Sequence, residues 1–356
     1  MPDFLSWIKP KRHLLGLDIG SRSIKVVQLS STRRGVALQY AGLNELPQAE
    51  GGDGAPSASM AVQEIFQTRR FRGQKIAIPF TGSAPIIRYL LLPPMPKHEL
   101  GEAVRWEAKK VVPWPIEKGV LDYLIMGETE ERNLKRIEVL LVVAERTAVM
   151  ELLQSFERIL VPIAAMDVNP LALFNAVRHN HRPDLDDNLV FVDIGAGKMD
   201  INISKHGALR FTRNVQIGGE GMTQSLMRGL QIERGEAEQM ARQRGLAQIS
   251  APTEQDGRIH EILKEEADRI ILETQRSVDY YRAQFRESAI RKIFLMGGVS
   301  MMPGFQEYFA RYFDAPVEMD NPFGEIACDT AVFEDLHLTA PRFTAAVGLA
   351  LRRSGE

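Results

Sequence analysis

Two stretches of the chain begin alike. Leu14-Leu15-Gly16-Leu17-Asp18-Ile19-Gly20-Ser21 runs into Ile24-Lys25-Val26-Val27-Gln28-Leu29, and Leu189-Val190-Phe191-Val192-Asp193-Ile194-Gly195-Ala196 runs into Met199-Asp200-Ile201-Asn202-Ile203. Each pattern predicts an apolar strand ending in Asp-Ile-Gly, a turn of small residues and a second β-rich strand. A third strand is expected after both, at 36–40 and 208–212. Asp18 and Asp193 stand 175 positions apart in a chain of 356 residues. That spacing points to one architecture used twice, the copies facing each other across a cleft.

Hydrophobic periodicity predicts the elements between and after the copies. A helix is expected over 60–68, a strand over 75–79, and another over 86–92 that Pro93-Pro94 stops. A helix over 97–111 places Leu100, Val104 and Ala108 on one face, and strands at 120–126 and 137–144 flank a charged turn at 128–135. A helix over 147–159 turns Val149, Leu152, Leu153 and Phe156 inward. Residues 86–160 thus read as a β-α-β-β-α unit inserted in the first half. Met166-Asp167-Val168-Asn169-Pro170 reads as the cap of a helix opening at Pro170. In the second half a helix over 237–244 precedes a long one over 258–285, which buries Leu263, Ile270 and Val278 and exposes a charged face. The strand at 291–296 ends in Gly297-Gly298, and Pro303-Gly304-Phe305 opens a helix. The Gly/Ala/Ser/Pro stretch at 48–59 reads as loop.

Composition narrows the function classes. Lys and Arg total 44 against 46 Asp and Glu, a net charge of −2, which argues against a polyanion-binding surface, so no nucleic acid partner is expected. A chain 44% hydrophobic and 25% charged is globular rather than disordered. The single cysteine, Cys328, excludes an intrachain disulfide and a Cys-based zinc site and fits a reducing cytoplasm. The seven histidines show no metal or triad spacing. No apolar run approaches the ~20 residues of a membrane span. Residues 1–12 lack the core of a secretory signal; their Phe4, Leu5, Trp7 and Ile8 read either as a terminus docking on the fold or as a membrane-surface contact.

The strand-end turns carry the candidate chemistry. Gly20, Gly195 and Gly197 remove side chains that would stand between backbone and ligand, so backbone N–H groups can converge on an anion. Asp18 and Asp193 can hold a hydrated divalent cation through its waters, since Mg²⁺ keeps most of its shell. Lys25, seven residues after Asp18, brings a fixed positive charge to the same phosphates. Gly297-Gly298 can receive a flat base, with no Cβ to keep it away.

These glycine motifs, in this order and spacing, resemble the nucleotide-binding superfamily of actin, the heat-shock chaperones and the sugar kinases, and within it the PilM family of type IV pilus assembly proteins, relatives of the division protein FtsA. The resemblance runs from about Leu14 to Arg352. It includes Leu92-Pro93 followed by Glu99-Leu100, Trp106-Glu107-Ala108 with Pro113 beyond, Val278-Asp279-Tyr280-Tyr281, Asn321-Pro322-Phe323 and the closing Ala345-Ala346-Val347-Gly348-Leu349-Ala350-Leu351-Arg352. It implies an α/β, actin-like (ribonuclease H-like) fold of duplicated domains flanking a nucleotide cleft, with an FtsA-type insertion. The first core would comprise 1–85 and 161–187, with 341–356 packing back on it, and the SHS2-like partner-binding insertion 86–160. The second core would comprise 188–222 and 291–340, and a helical subdomain 223–290.

By the same resemblance ATP and Mg²⁺ are the expected cofactors. Gly20, Ser21, Ser23 and Lys25 would form one phosphate loop and Gly195, Ala196, Gly197 and Lys198 the other, with Asp18 and Asp193 near the metal. Gly218, Gly219, Glu238, Gly297 and Gly298 would surround the adenosine. The chain departs from the family pattern twice: Lys198 stands where a hydroxyl residue is usual, and the Ala-Glu-x-x-Lys helix has Ala241 for its lysine, with Arg242 next. The implied partner is the cytoplasmic N-terminal peptide of PilN, together with other platform proteins and motor ATPases. The chain stops five residues past Leu351, without the amphipathic helix that ends FtsA, so attachment to the inner membrane is expected through that partner. A kinase would need a base near the γ-phosphate, and only Asp167 and Asn169 offer themselves. The expectation is therefore a scaffold with slow or no hydrolysis. A filament-forming division protein, self-association, and a role in type II secretion or DNA uptake stay open.

Overall fold

The computed structural model describes residues 13–33, 35–46, 58–68, 71, 74–81, 85–131, 134–157, 162–184, 187–247, 253–285, 289–328 and 336–353. Residues 1–12 and 47–57, which hold the amphipathic terminus and most of the expected 48–59 loop, lie outside them.

The chain opens with β1 (Leu15–Ile19), β2 (Ser23–Thr32), β3 (Gly35–Glu45), α1 (Ala58–Thr68) and β4 (Ile76–Pro79). Then come β5 (Ile86–Leu92), α2 (Lys97–Val111), β6 (Gly119–Glu131), β7 (Leu134–Glu145) and α3 (Arg146–Glu157). β8 (Ile163–Asp167) and α4 (Asn169–His181) lead to β9 (Leu189–Ile194), β10 (Met199–Lys205) and β11 (Ala208–Val215). Helices α5 (Gly219–Leu230), α6 (Arg234–Gln243) and α7 (Glu254–Phe285) follow, then β12 (Lys292–Met296), α8 (Phe305–Ala310), β13 (Val317–Met319), α9 (Leu336–Thr339) and α10 (Thr344–Ala350).

Two five-stranded sheets have the same plan. Their orders are β3-β2-β1-β4-β8 and β11-β10-β9-β12-β13. In both, the first three strands pair antiparallel and the last two join in parallel. The central strands are apolar nearly throughout because both faces are covered, as in the buried Leu-Val-Phe-Val of β9. The repeat seen in the residues is thus a repeat of hydrogen-bonded topology.

α10 is a small-residue wedge buried along its whole length. A Cβ on Gly348 would lie 1.7 Å from the Ala172 carbonyl oxygen of α4, and one on Gly16 of β1 would lie 2.1 Å from the Ala346 carbonyl oxygen. Only glycine permits backbones this close. The residues just before α10 reach both halves: Pro341 O accepts from Gly297 N at 2.9 Å, while Arg342 donates to Glu45 at 2.7 Å.

The third sheet runs β5-β7-β6. One face of β7, with Val139, Leu141 and Val143, packs on Leu100, Val104 and Ala108 of α2. On the other face, Leu140 joins Phe174 of α4 and Phe191, Leu209 and Phe294 of the second sheet. The expected charged turn at 128–135 is mostly strand. β6 runs on to Glu131 and β7 starts at Leu134, with Glu130 paired opposite Lys135; facing opposite charges suit an antiparallel ladder. The expected side-chain cap of α4 is also absent: Val168 is the N-cap, extended and without a side-chain cap hydrogen bond.

A buried polar cluster joins the third sheet to the second. Arg210 of β11 reaches both Glu138 of β7 and the Tyr89 hydroxyl of β5, and Tyr89 donates to Glu138. The Arg210 and Glu138 side chains are only 9% and 5% exposed. Removing one partner strands the other charge. Arg210→Ala is expected to cost about 3–5 kcal/mol in urea unfolding, with much of it recovered in the Arg210→Met/Glu138→Leu double variant; a single variant as stable as the parent would contradict this reading.

Candidate functional site

The two Asp-Ile-Gly hairpins close in the same way. Gly20 N donates to Ser23 O at 3.0 Å and Gly195 N to Lys198 O at 2.9 Å. These two amides are therefore spent inside their turns instead of facing an anion, and what the glycines supply is close approach. The turns themselves come near each other: a Cβ on Gly197 would lie 3.8 Å from Ser21 Oγ.

Strand register then decides the charges. Asp18 pairs opposite Lys25, and the ammonium lies 2.9 Å from the carboxylate. At the equivalent place in the second sheet Asp193 pairs opposite Asp200, so an aspartate stands where the first copy has its lysine. Asn169, at the start of α4, bridges the two, donating to Asp200 at 2.7 Å and to Asp193 at 3.2 Å. Asn214 donates to the other Asp200 oxygen at 2.7 Å. Asn169 was expected to cap its helix; it binds the acidic pair, which is why α4 begins without a side-chain cap. Asp167 faces elsewhere, accepting from Arg352 at 2.6 Å. Burial, then the neighbouring Asp200 and Asp18, push the Asp193 carboxyl up to about 6, against the pull of Asn169 and Lys25.

The hairpin ends wall a cleft of about 450 Å³, within the ~300–1,000 Å³ range of ligand sites. Every residue expected at the phosphates or metal lines it: Asp18, Gly20, Ser21, Ser23 and Lys25 from one side, and Asp193, Gly195, Ala196, Gly197 and Lys198 from the other. Ser23 is engaged, accepting from Arg342 at 3.1 Å. Of the five residues expected around the adenosine, Gly219, Glu238, Gly297 and Gly298 line the cleft and Gly218 does not. A Cβ on Gly218 would lie 2.5 Å from Gly195 O and 2.6 Å from Ala196 O, so this glycine seats α5 beneath the second turn. Gly219 N and Glu220 N complete that seat, donating to Gly195 O at 3.0 Å and Ala196 O at 2.7 Å. Gly297 has φ +79°, and a Cβ there would meet Ile194 O at 2.5 Å; Gly298 faces open space. Ala241 and Arg242, which mark the departure from the Ala-Glu-x-x-Lys pattern in α6, both line the cleft.

Sequence reasoning named Asn169 only as a candidate base or helix cap, and missed Asp200, Arg22 and Arg342 as cleft residues. Asp200 had a readable signal, because a four-residue hairpin loop after Ile194 sets it opposite Asp193. The others depend on contacts between distant segments. Arg22 of the first turn forms an ion pair with Glu238 of α6 across the cleft. Among the described residues no three His, Cys, Asp or Glu side chains group closely enough to hold a metal ion by themselves.

The family profile described as "Type IV pilus assembly protein PilM" matches residues 16–354. The chain belongs to the PilM family. A solved PilM–PilN type IV pilus biogenesis complex superposes with a TM-score of 0.80 at 25% identity, covering 96% of this chain and 99% of the other. The ethanolamine utilization protein EutJ of Carboxydothermus hydrogenoformans matches at TM-score 0.52 and 15% identity, over 96% of this chain and 90% of its own. MreB 5 of Spiroplasma citri, solved bound to AMPPNP, matches at 0.52 and 11%, over 92% and 98%. These last two share the fold alone, and that fold is actin-like, as the paired turns suggested. Among relatives by sequence, the cell division protein FtsA of Neisseria meningitidis serogroup B is 28% identical over 255 residues, 65% of this chain and 59% of FtsA. FtsA of Bacillus subtilis is 28% identical over 162 residues, 42% of this chain and 36% of FtsA. The PilM-family chain therefore spans less than two thirds of either FtsA.

A carboxyl raised in the folded state favours the fold while protonated, so its contribution is present below about pH 4 and is lost as pH rises through about 6. Between pH 4 and pH 7 the parent should lose stability relative to Asp193→Asn, compared as paired urea melts. Parallel slopes would show that Asp193 does not titrate in this window.

Proposed function

We propose that this PilM-family chain is an ATP-binding scaffold of the pilus inner-membrane assembly platform, in which the cleft takes Mg-ATP and the 86–160 insertion takes the cytoplasmic N-terminal peptide of PilN. The observation that carries the nucleotide reading is the juxtaposition of two equivalent hairpin turns, each ending in an aspartate, in one cleft with the Gly297-Gly298 pair. The fold neighbour MreB 5 was solved with a nucleotide analogue, and the PilM–PilN complex supplies the partner.

The residues present fit a divalent cation. Burial, and after it the neighbouring Asp200 and Asp18, raise the Asp193 carboxyl to about 6, and a cation would relieve the repulsion among the carboxylates. Asp18 and Asp193 would hold it, sharing its shell with water and the ligand's phosphates. The cation would neutralise phosphate charge, and the protein groups bind and orient. The turns carrying Ser21, Ala196, Gly197 and Lys198 would border the phosphates, and the open face of Gly298 the base. We assign residues 1–85 with 161–187 and 188–222 with 291–340 as the two cleft walls, 341–356 to the first of them, and 223–290 as a helical subdomain of the second.

No described helix is long and apolar enough to cross a membrane. In this reading the chain reaches the inner membrane through PilN and hands the state of its cleft to the motor, acting by binding rather than by turnover. Such a relay requires ligand and partner to favour the same conformation.

Calorimetric titration tests the proposal. The parent is expected to bind Mg-ATP and a PilN-type peptide with coupled affinities, and Asp18→Ala or Asp193→Ala to weaken Mg-ATP by about tenfold or more while peptide binding persists. Unchanged affinity in both variants would overturn the two-turn site. Gly298→Val, whose side chain would enter the cleft, is expected to block ATP; full binding by it would remove the base from this position.

A further inference from the structure

Arg22 occupies an unusual place. It lies in the first hairpin turn between Ser21 and Ser23, lines the cleft, and crosses it to pair through Nη2 with Glu238 of α6. Glu238 also lies 3.6 Å from Arg234. Arg234 grips Glu220 through both of its terminal nitrogens, at 2.7 and 2.9 Å, and Glu220 N holds the second turn through Ala196 O at 2.7 Å. A chain of charged contacts therefore runs from the first turn, through α6 and α5, to the second.

One atom in this chain is unsatisfied. Arg22 Nη1 is buried and has no hydrogen-bond partner among the described residues. A buried donor on a charged group is expensive to leave unpaired, and this one stands beside the cleft in the turn that approaches Gly197. Burial holds the Arg22 guanidinium below its usual range, with Arg234 and Arg242 acting in the same direction and Glu220 and Glu45 against it, so an anionic acceptor at Nη1 would suit it. A guanidinium is also a planar fork, able to hold a carboxylate with one arm and a phosphate oxygen with the other, which an ammonium cannot match.

We propose that Arg22 is a ligand-binding residue of the cleft, whose Nη1 donates to a phosphate oxygen of the bound nucleotide while Nη2 keeps its hold on Glu238. One side chain then ties the ligand to both walls. The proposal rests on the nucleotide reading above and adds to it a side chain of the first turn that reaches across the cleft.

The test is affinity for Mg-ATP and for adenosine, measured by calorimetry on the full chain and on Arg22→Ala, with a thermal melt of each. Loss of a charge-assisted contact predicts a drop in ATP affinity of about 10- to 100-fold, with adenosine changed by less than about threefold. Arg22→Lys, which keeps the charge and loses the fork, should recover only part of the loss. ATP affinity of Arg22→Ala within about twofold of the parent would overturn the proposal, as would an equal loss for ATP and adenosine, the signature of a wall-to-wall ion pair alone. Should Arg22→Ala not fold, Arg22→Gln is read in the same way. Failure of the parent itself to bind ATP or adenosine would overturn the nucleotide reading and this assignment with it, a result distinct from any variant effect.

Discussion

The wedge formed by α10 is the contact on which the rest of the molecule depends. Its residues touch the backbone of β1 at Gly16 and of α4 at Ala172, and Ala345 lies in the apolar cluster that includes Phe191 and Phe294 of the second sheet. Helices usually keep 8–10 Å between axes because side chains intervene; with glycine at the contact, backbone meets backbone. A helix seated this closely cannot slide along β1 or α4 without a clash. Its N-terminus is also where Thr344 donates to the buried Asp320, at 2.6 Å, and Asp320 in turn meets His181 of α4 at 2.8 Å.

The cleft lies beside that contact, with Ala345 of α10 in its lining. Each sheet delivers the end of its central strand and the tight turn after it to the same place, because both sheets have the same strand order. The turns keep the same backbone hydrogen bond and differ in what the following strand supplies. In one copy a lysine neutralises the aspartate opposite; in the other a second aspartate intensifies the charge and Asn169 is recruited to hold the pair. The insertion is bound to the second sheet by the Arg210–Glu138–Tyr89 cluster and by Leu140 among its aromatics, and that same sheet supplies the Asp193 wall of the cleft.

Much of this was legible in the residues, and the reasons are physical. Strands that end in Asp-Ile-Gly are local signals, and hairpin pairing propagates them by fixed register, which is why the duplicated sheets and the two turns with their aspartates could be read directly. What could not be read depends on segments far apart in the chain. Asn169 looks like a helix cap by its position before Pro170, and only the fold shows the acidic pair above it. Gly218 looks like part of the ligand site because it precedes Gly219; its missing Cβ in fact makes room for the carbonyls of Gly195 and Ala196. The 128–135 segment has the composition of a turn, yet Glu130 faces Lys135 across a ladder, and nothing local separates the two. Arg22 and Glu238 lie 216 positions apart, beyond the reach of any periodicity argument.

A cavity made by two copies of one motif would look the same from either end. Here Lys25 on one wall corresponds to Asp200 on the other. One wall presents a lysine–aspartate pair and the other an aspartate pair at the same place in the hairpin. The divergence of the copies has therefore turned a symmetric slot into one with unlike walls, so that whatever enters meets a different set of charged groups on each side.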